Sequence, residues 1–188
     1  MNIVLDTGVV IAFAAEEKDK SLDSIEKILD LTKSKKLRTS ISSITISEIY
    51  AYFYKKKDPK KAVEICSFLE EIGVISIDMT KEISKNSGVL KSKYSMSFAD
   101  AIILATCMDL EACLITYDKE FASVKDVPVF KPEEFMNIFL MKCSCGGAMK
   151  EVYKEISGVR TKTNICTKCG KELIDINGHF HQSSEADW

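Results

Sequence analysis

The sequence predicts an α/β fold with a mainly parallel sheet, followed by a small β-type region. Short apolar runs alternate with helical patterns as far as Leu140. Strands separated by helices need crossover connections, which are typical of a parallel sheet. After Leu140 the composition changes to Cys, Gly, Lys and Thr in short β-type runs. This change indicates a second, smaller domain.

Apolar periodicity predicts the individual elements of the first domain. Pro59 suits the first turn of its helix, and Pro132 starts a last short helix over Glu133 to Phe139. Apolar runs predict strands at residues 2–5, 38–42, 73–77, 112–116 and 127–130. Helical patterns lie near residues 8–16, 22–35, 45–57, 59–72, 79–93 and 97–109.

Length and charge restrict the possible classes of protein. With 188 residues, 46% of them hydrophobic, the chain can form one full core and a small appendage. Because the net charge is −2, any binding of nucleic acid needs local basic patches. The first residues lack the regions of a signal peptide, and the apolar stretch from Gly8 to Ala15 is too short for a bilayer. We therefore expect a cytoplasmic protein that does not contact membranes.

Four acidic residues stand where a predicted strand or loop gives way to a helix. In a parallel α/β sheet, helices begin at the carboxyl ends of the strands, along one edge. The four carboxylates can therefore converge in one cleft, and they would repel one another there unless they hold a cation. This pattern indicates a metal-dependent enzyme. The acids are Asp6, Glu48, Asp100 and Asp118.

Helix capping is the alternative explanation for each acid taken alone. The pairs Thr45–Glu48 and Ser97–Asp100 fit a capping box, and the two acids at strand ends fit simple N-caps.

Three observations favour the metal site over capping. A charge at the end of the buried first strand is costly without a purpose. All four acids map to one edge of the sheet, which capping does not require. Thr7 and Thr116 flank the acids at strand ends, where their hydroxyls can orient a carboxylate or a metal-bound water.

The sequence around the acids resembles the four acidic motifs of PIN-domain (PilT N-terminus) ribonucleases. The stretches 116–121 and 128–135 are similar to the VapC-type toxin branch in particular, and the resemblance covers about residues 1–138. The motifs are Val4-Leu5-Asp6-Thr7, Ser47-Glu48, Phe98-Ala99-Asp100-Ala101 and Leu114-Ile115-Thr116-Tyr117-Asp118.

This resemblance implies a three-layer α/β/α domain that cuts RNA with Mg or Mn held by the four acids. Hard divalent cations prefer carboxylate oxygens, and bound metal makes hydroxide available near neutral pH. Both histidines lie near the C-terminus, so we expect in-line attack by a metal-bound water that leaves a 5′ phosphate. An aspartyl-phosphate phosphatase is disfavoured, because Gly8 stands where its Asp-x-Asp motif needs the second acid.

The seven cysteines form two groups. Three have apolar neighbours and are expected to be reduced core residues. The other four form C-x-C, then twenty residues, then C-x2-C, which is typical of a rubredoxin-like ribbon with a structural Zn. The core group is Cys66, Cys107 and Cys113, and the zinc group is Cys143, Cys145, Cys166 and Cys169.

A structural zinc would explain how the small domain folds with little apolar core. The C-x-C pair is one residue shorter than usual, so a redox pair or incidental cysteines are the alternatives, and His179 or His181 could replace one ligand. Residues 151–156 and 159–165 predict a hairpin that turns at Ser157-Gly158. The polar, acidic stretch from His179 onward is expected to be loose.

Clusters of lysine and tyrosine offer local surfaces for RNA through phosphate contacts and base stacking. A solvated helix face is the alternative for each cluster, and part of the aromatic group could belong to the core or to a dimer interface. One cluster joins Tyr50, Tyr52, Phe53 and Tyr54 to Lys55, Lys56, Lys57, Lys60 and Lys61.

We therefore predict a PIN-like nuclease domain over residues 1–138, a zinc ribbon over 141–182 and a loose tail over 183–188. Two roles compete: a toxin-type ribonuclease held by an antitoxin, and an RNA-processing nuclease acting on a ribosomal precursor particle. A homodimer is possible in either role. The alternative from another class is a non-catalytic scaffold that binds RNA or protein.

Overall fold

A computed structural model describes residues 1–17, 21–139, 145, 147, 149–156, 159–176 and 179–182. The chain divides into two compact units, Met1–Glu133 and Glu134–Trp188. Within the described ranges, none of the helices is long and apolar enough to cross a bilayer.

The first unit is built on a five-stranded sheet. Its strands are β1 (Asn2–Leu5), β2 (Arg38–Ser42), β3 (Ile75–Ile77), β4 (Cys113–Ile115) and β5 (Val129–Phe130). Their order is β3-β2-β1-β4-β5, and every neighbouring pair is parallel, which confirms the predicted parallel sheet. The apolar side chains of β1 are at most 1% exposed. A central strand covered by helices on both faces accounts for this burial.

Helices between the strands complete the predicted three-layer α/β/α architecture, and their ends lie within two residues of the predicted boundaries. In α6, every residue from Ala101 to Cys107 is buried, and this helix packs on the central strands through Val4 and Leu114. The helices are α1 (Thr7–Ala14), α2 (Leu22–Lys33), α3 (Ser43–Lys55), α4 (Pro59–Glu71), α5 (Lys81–Tyr94) and α6 (Phe98–Asp109).

Three local features differ from the prediction, and one is that β5 begins at Val129 rather than at residue 127. β3 begins at Ile75 rather than at residue 73, because Gly73 (φ +91°) and Val74 hydrogen-bond back to the end of α4. A short 3₁₀ helix over Lys119–Ser123 follows β4 and was not predicted.

Five helix ends in the described residues place a residue with a side chain in the left-handed backbone region; one is Ser95 (φ 54°) after α5, and the other four share a further hydrogen bond. In those four, the N–H group of the next residue donates to a carbonyl inside the helix, as from Glu17 to the Ala12 carbonyl at 3.0 Å. Such bonds satisfy carbonyls that a helix end leaves free, and glycine is the usual residue at this position. The four residues are Glu16 (φ 51°), Lys35 (φ 59°), Lys57 (φ 61°) and Glu111 (φ 48°).

The C-terminal part contains α7 (Pro132–Phe139), which confirms the predicted last helix, and a separate antiparallel sheet. Its strands β6 (Met149–Ile156), β7 (Val159–Cys166), β8 (Glu172–Ile176) and β9 (His179–Gln182) are neighbours in chain order. The pairing of β6 with β7 confirms the predicted hairpin, whose turn residues 157–158 lie outside the described residues. The strands β8 and β9 were not predicted.

The prediction of a loose stretch from His179 onward is wrong for its first four residues. His179–Gln182 form β9 and pair with β8, from Ile176 opposite His179 to Leu173 opposite Gln182. Cross-strand hydrogen bonds hold this backbone in place, which its polar composition alone does not indicate. Residues 183–188 lie outside the described part of the chain.

Candidate active site

Asp6 follows β1 directly at the carboxyl edge of the sheet. Its backbone N–H donates to the Ile115 carbonyl at 3.0 Å, so the pairing of β1 with β4 fixes its position. Its side chain is only 6% exposed. Although Asp6 occupies the N-cap position of α1, its side chain makes no capping hydrogen bond. Capping therefore does not explain why a carboxylate stands here.

Thr116 links two of the predicted acids. Its buried hydroxyl donates to Asp6 Oδ2 at 2.7 Å and accepts the backbone N–H of Asp118 at 2.9 Å. One side chain thus orients the Asp6 carboxylate and also fixes the start of the Asp118 turn. Asp118 Oδ1 in turn accepts the backbone N–H of Glu120 at 2.8 Å.

Burial raises the pKa of the Asp6 carboxyl from 3.8 to about 6. The hydrogen bond from Thr116 lowers this pKa, and the nearby carboxylates of Asp100 and Asp118 raise it further. A buried carboxylate beside other carboxylates is unstable in its charged form unless a cation accompanies it.

Glu48 lies on α3, where a second threonine holds it. The Thr7 hydroxyl donates to Glu48 Oε2 at 2.6 Å and lies 3.1 Å from the hydroxyl of Thr45. The N-cap of α3 is Ser42, so Thr45 lies inside the helix. The capping alternative for Thr45 and Glu48 is therefore wrong.

Asp100 takes part in a cap and also faces the cleft. Its backbone N–H donates to Ser97 Oγ at 3.1 Å, and the Ser97 hydroxyl lies 2.6 Å from Asp100 Oδ2. The capping explanation holds for this pair, yet Asp100 lines the same cavity as Asp6. A local structural role and a place in the cleft are compatible here.

An open cleft of about 600 Å³ brings all four predicted acids together. Its walls also contain Thr7, Tyr52, Tyr117 and a fifth carboxylate, Glu17. The sequence did not indicate Glu17 or Tyr117 as site residues, and it indicated Tyr52 only as part of a lysine–tyrosine cluster. Glu17 enters the cleft because the left-handed turn at Glu16 folds the chain back over the end of α1. The adjacent acids Glu16 and Glu17 were the only signal.

The side chains of the cleft fit a divalent cation. Within the described ranges, no lysine or arginine lines the cleft, and none forms an ion pair with its carboxylates. Carboxylate oxygens are the ligands that hard divalent ions prefer. Two of the acids, Asp6 and Glu48, are already oriented by threonine hydroxyls.

A separate cluster of three cysteine sulfurs lies in the second unit. The Sγ atoms of Cys145, Cys166 and Cys169 all lie within 4.8 Å of one another. The backbone N–H groups of Lys168 and Cys169 donate to Cys166 Sγ at 3.3 and 3.4 Å, which favours a thiolate. Cys143, the predicted fourth ligand, lies outside the described residues.

Gly147 packs its backbone against this cluster. A Cβ at position 147 would lie 2.6 Å from Cys166 Sγ and 2.6 Å from Lys168 Cβ, distances that real contacts do not reach. Only glycine fits without a shift of the neighbouring chain. The close approach of backbone to sulfur and the converging thiols fit a metal ion held by the cluster.

The remaining cysteines agree with the predicted reduced group. Cys66, Cys107 and Cys113 form no disulfide, and the last two are buried. Burial raises the pKa of Cys113 to about 11 and that of Cys107 well above its usual value, so both stay protonated at neutral pH.

Replacing Thr116 by valine should impair the cleft more than it impairs the fold. The change leaves the Asp118 N–H unpaired and lets the Asp6 carboxylate turn freely, so we expect about 1–3 kcal/mol of destabilisation. Metal affinity should fall about 10- to 100-fold, as for other groups that orient a ligand. Calorimetric titration with Mn²⁺ measures this. Thr106→Val is the matched control, since that buried hydroxyl bonds only the Ile102 carbonyl among described partners; equal losses of Mn²⁺ affinity in both variants would contradict the role of Thr116.

Comparisons with known proteins identify the family that has this fold and this acidic cleft. The PIN domain family matches residues 3–127. The chain belongs to the PIN-domain family, as its motifs predict. No curated protein matches the chain.

Several solved structures share the fold, among them three from Rickettsia felis, Klebsiella pneumoniae and Mycobacterium tuberculosis. VapBC2 from Rickettsia felis, bound to a promoter DNA fragment, is 20% identical with a TM-score of 0.58, covering 70% of this chain and 98% of its own. A toxin–antitoxin complex from Klebsiella pneumoniae is 24% identical with a TM-score of 0.53. The match covers 69% of this chain and 97% of the Klebsiella chain. VapC20 from Mycobacterium tuberculosis is described as a Sarcin-Ricin loop cleaving toxin. It is 17% identical with a TM-score of 0.54, and the match covers 66% of this chain and 98% of VapC20.

Proposed function

We propose that this protein is a metal-dependent endoribonuclease whose acidic cleft holds Mg or Mn. The observation that carries this proposal is the convergence of Asp6, Glu48, Asp100 and Asp118 in one cleft, without a basic partner among the described residues that line it. These four acids would hold the ion. Membership of the PIN-domain family supports the same chemistry.

The residues of the chain prepare the cleft for this reaction. A bound divalent ion would supply hydroxide near neutral pH and neutralise charge on the phosphate. Thr116 holds the Asp6 carboxylate at the sheet edge, and Thr7 does the same for Glu48 across the cleft. Two preset carboxylates reduce the reorganisation needed when the ion and the phosphate arrive.

RNA is the proposed substrate because the resemblance to PIN-domain ribonucleases implies it, and because VapC20, which shares the fold, is described as a Sarcin-Ricin loop cleaving toxin. The competing proposal is a non-catalytic scaffold. The burial of Asp6 and its raised pKa argue against a scaffold. A buried carboxylate destabilises the fold, and such groups are common at functional sites.

Two physiological roles remain as proposals. Toxin–antitoxin complexes among the similar structures support a toxin held by an antitoxin, and a homodimer is proposed with it. The second proposed role is RNA processing on a ribosomal precursor particle, and its motivation is that a toxin rarely needs an additional cysteine-containing unit after the residues matched by the family. We propose that residues 1–138 form the nuclease domain and 141–182 a zinc ribbon.

For the second unit we propose one structural Zn. Cys145, Cys166 and Cys169 converge, and Cys143 would complete a four-sulfur site. Thiolates arranged in this way favour Zn over Mg or Mn.

Cleavage of RNA in the presence of Mn²⁺ tests the proposed function. The wild type should cut single-stranded RNA and leave 5′ phosphates, and Asp100→Asn should reduce the rate at least about 100-fold, because metal ions contribute several kcal/mol to such reactions. Asp109→Asn is the matched control, since this acid ends the same helix and does not line the cleft. Equal rates for the wild type and Asp100→Asn would overturn the assignment. Mn²⁺ binding without any cleavage would support the scaffold.

A further inference from the structure

The helix α3 and its C-cap residue carry an acid, an aromatic ring and a lysine at intervals of four residues. Glu48, Tyr52 and Lys56 therefore follow one face of the helix toward its C-terminal end. Glu48 and Tyr52 both line the acidic cleft. The Lys56 ammonium lies 5.5 Å from the centre of the Tyr52 ring. This face of the helix therefore places a cation next to a ring that lines the cleft.

We propose that this face positions single-stranded RNA in the cleft: Tyr52 stacks on an unpaired base, and Lys56 binds a neighbouring phosphate. The inference rests on the proposed ribonuclease function and names its substrate class.

The Tyr52 ring is held in a defined place. It meets the ring of Phe53 edge-on at 5.0 Å and 84°, and Phe53 is itself buried. Among the described residues, none hydrogen-bonds to the Tyr52 hydroxyl, whereas the Tyr117 hydroxyl on the cleft wall accepts the Ser21 N–H at 3.1 Å. A fixed ring in a cleft is a suitable surface for base stacking, which tolerates any sequence.

Charge explains the need for Lys56. Five carboxylates line the cleft, and its described lining contains no cation. Such a cleft attracts a metal ion but repels RNA phosphates approaching from outside. Lys56 is exposed and stands on a cleft residue, so it can neutralise a phosphate that flanks the metal site.

The stacking requirement selects single strands. In a duplex both faces of each base are covered by its neighbours, and only an unpaired base can lie against a side-chain ring. A double-stranded RNA could touch Lys56 but could not engage Tyr52.

The competing explanation is that Lys56 and Tyr52 only stabilise the end of α3. A cation near a helix C-terminus is favourable by itself. The chain offers a matched comparison, because Tyr54 lies on the same helix, is 62% exposed and stacks on Tyr50 instead. A general effect of tyrosine on helix stability would appear at both positions.

The test is RNA binding and cleavage by Tyr52→Ala, Tyr52→Phe and Tyr54→Ala in Mn²⁺. Stacking predicts that Tyr52→Ala raises KM for a single-stranded oligomer at least about fivefold, whereas Tyr52→Phe and Tyr54→Ala keep the wild-type value. Lys56→Ala should reduce the slope of log Kd against log salt by about 0.7, and Lys27→Ala, a lysine on α2, should not. An oligomer series with one abasic site at each position adds a direct readout: one position should weaken the wild type but not Tyr52→Ala.

Two results separate the inference from the proposed function. If the wild type cleaves RNA but Tyr52→Ala keeps its KM and shows the same abasic profile, the stacking role is wrong and the nuclease stands. If no RNA is cleaved, the nuclease proposal fails, and metal-free binding measured by fluorescence anisotropy still decides the role of Tyr52. Equal binding of single-stranded and duplex RNA would also overturn the inference.

Discussion

Replacing Asp6 by asparagine should raise the free energy of unfolding of the metal-free protein at pH 7 by about 3 kcal/mol. The folded state raises the pKa of this carboxyl from 3.8 to about 6, so the folded protein binds the proton more tightly than the unfolded chain. The stabilisation by this proton is complete below pH 3.8 and is lost as the pH rises through 6. Each pKa unit corresponds to about 1.4 kcal/mol. Asparagine is neutral at every pH, so the variant does not lose stability as the pH rises through this range.

Urea unfolding in EDTA at pH 4 and pH 7 measures the effect. The two proteins should differ little at pH 4 and most at pH 7, and Asp109→Asn, at the end of α6, should behave as wild type. Added Mn²⁺ should reverse the order, because it stabilises only a protein that still binds it. RNA cleavage by Asp6→Asn should fall at least about 100-fold. A pH dependence identical in wild type and variant would show that burial does not destabilise the charged form of Asp6.

Replacing Gly147 by alanine should empty the cysteine site. The new Cβ would lie 2.6 Å from the sulfur of Cys166 and 2.6 Å from the side chain of Lys168, so the sulfur or the 145–147 segment must move. We expect about 1–3 kcal/mol of overpacking cost. Because metal affinity depends on exact placement of the sulfurs, purified protein should hold clearly less than the roughly one Zn per chain of a closed four-ligand site.

Metal analysis with competition by a chelator measures this change. Cys166→Ser should abolish Zn binding, because it removes one of the three converging sulfurs, which lies 3.5 Å from the sulfur of Cys145. Gly88→Ala is the matched control, since it lies within α5 with nothing near the added Cβ. A Zn content unchanged in both Gly147→Ala and Cys166→Ser would exclude this site.

The approach of Asp6 and Asp118 to one cleft was predictable from sequence because strand ends are local features. Asp6 and Asp118 follow short buried runs, and the parallel order of β1 and β4 brings the ends of such runs to one edge. Glu17 was not predictable in this way. Its position depends on the left-handed turn at Glu16, and a glutamate gives no signal for that backbone conformation.

The second unit shows the same limit. The hairpin of β6 and β7 was predictable because two short β-type runs flank the turn signal Ser157-Gly158 in the sequence. The pairing of β9 with β8 is a tertiary contact between polar segments, so composition favoured a loose tail instead. The spacing of Cys145, Cys166 and Cys169 predicted a cluster, but the tight fit of Gly147 depends on three-dimensional packing.

The left-handed helix ends have a consequence for how this protein could be engineered. Lys35 and Glu111 each adopt a conformation in which a Cβ is strained, and neither lines the acidic cleft. Natural proteins are seldom as stable as their fold allows. Replacing a strained residue by glycine is one way to raise the free energy of unfolding. A thermostable nuclease scaffold could thus be obtained by glycine substitutions at the turns, with every carboxylate and tyrosine of the cleft left untouched.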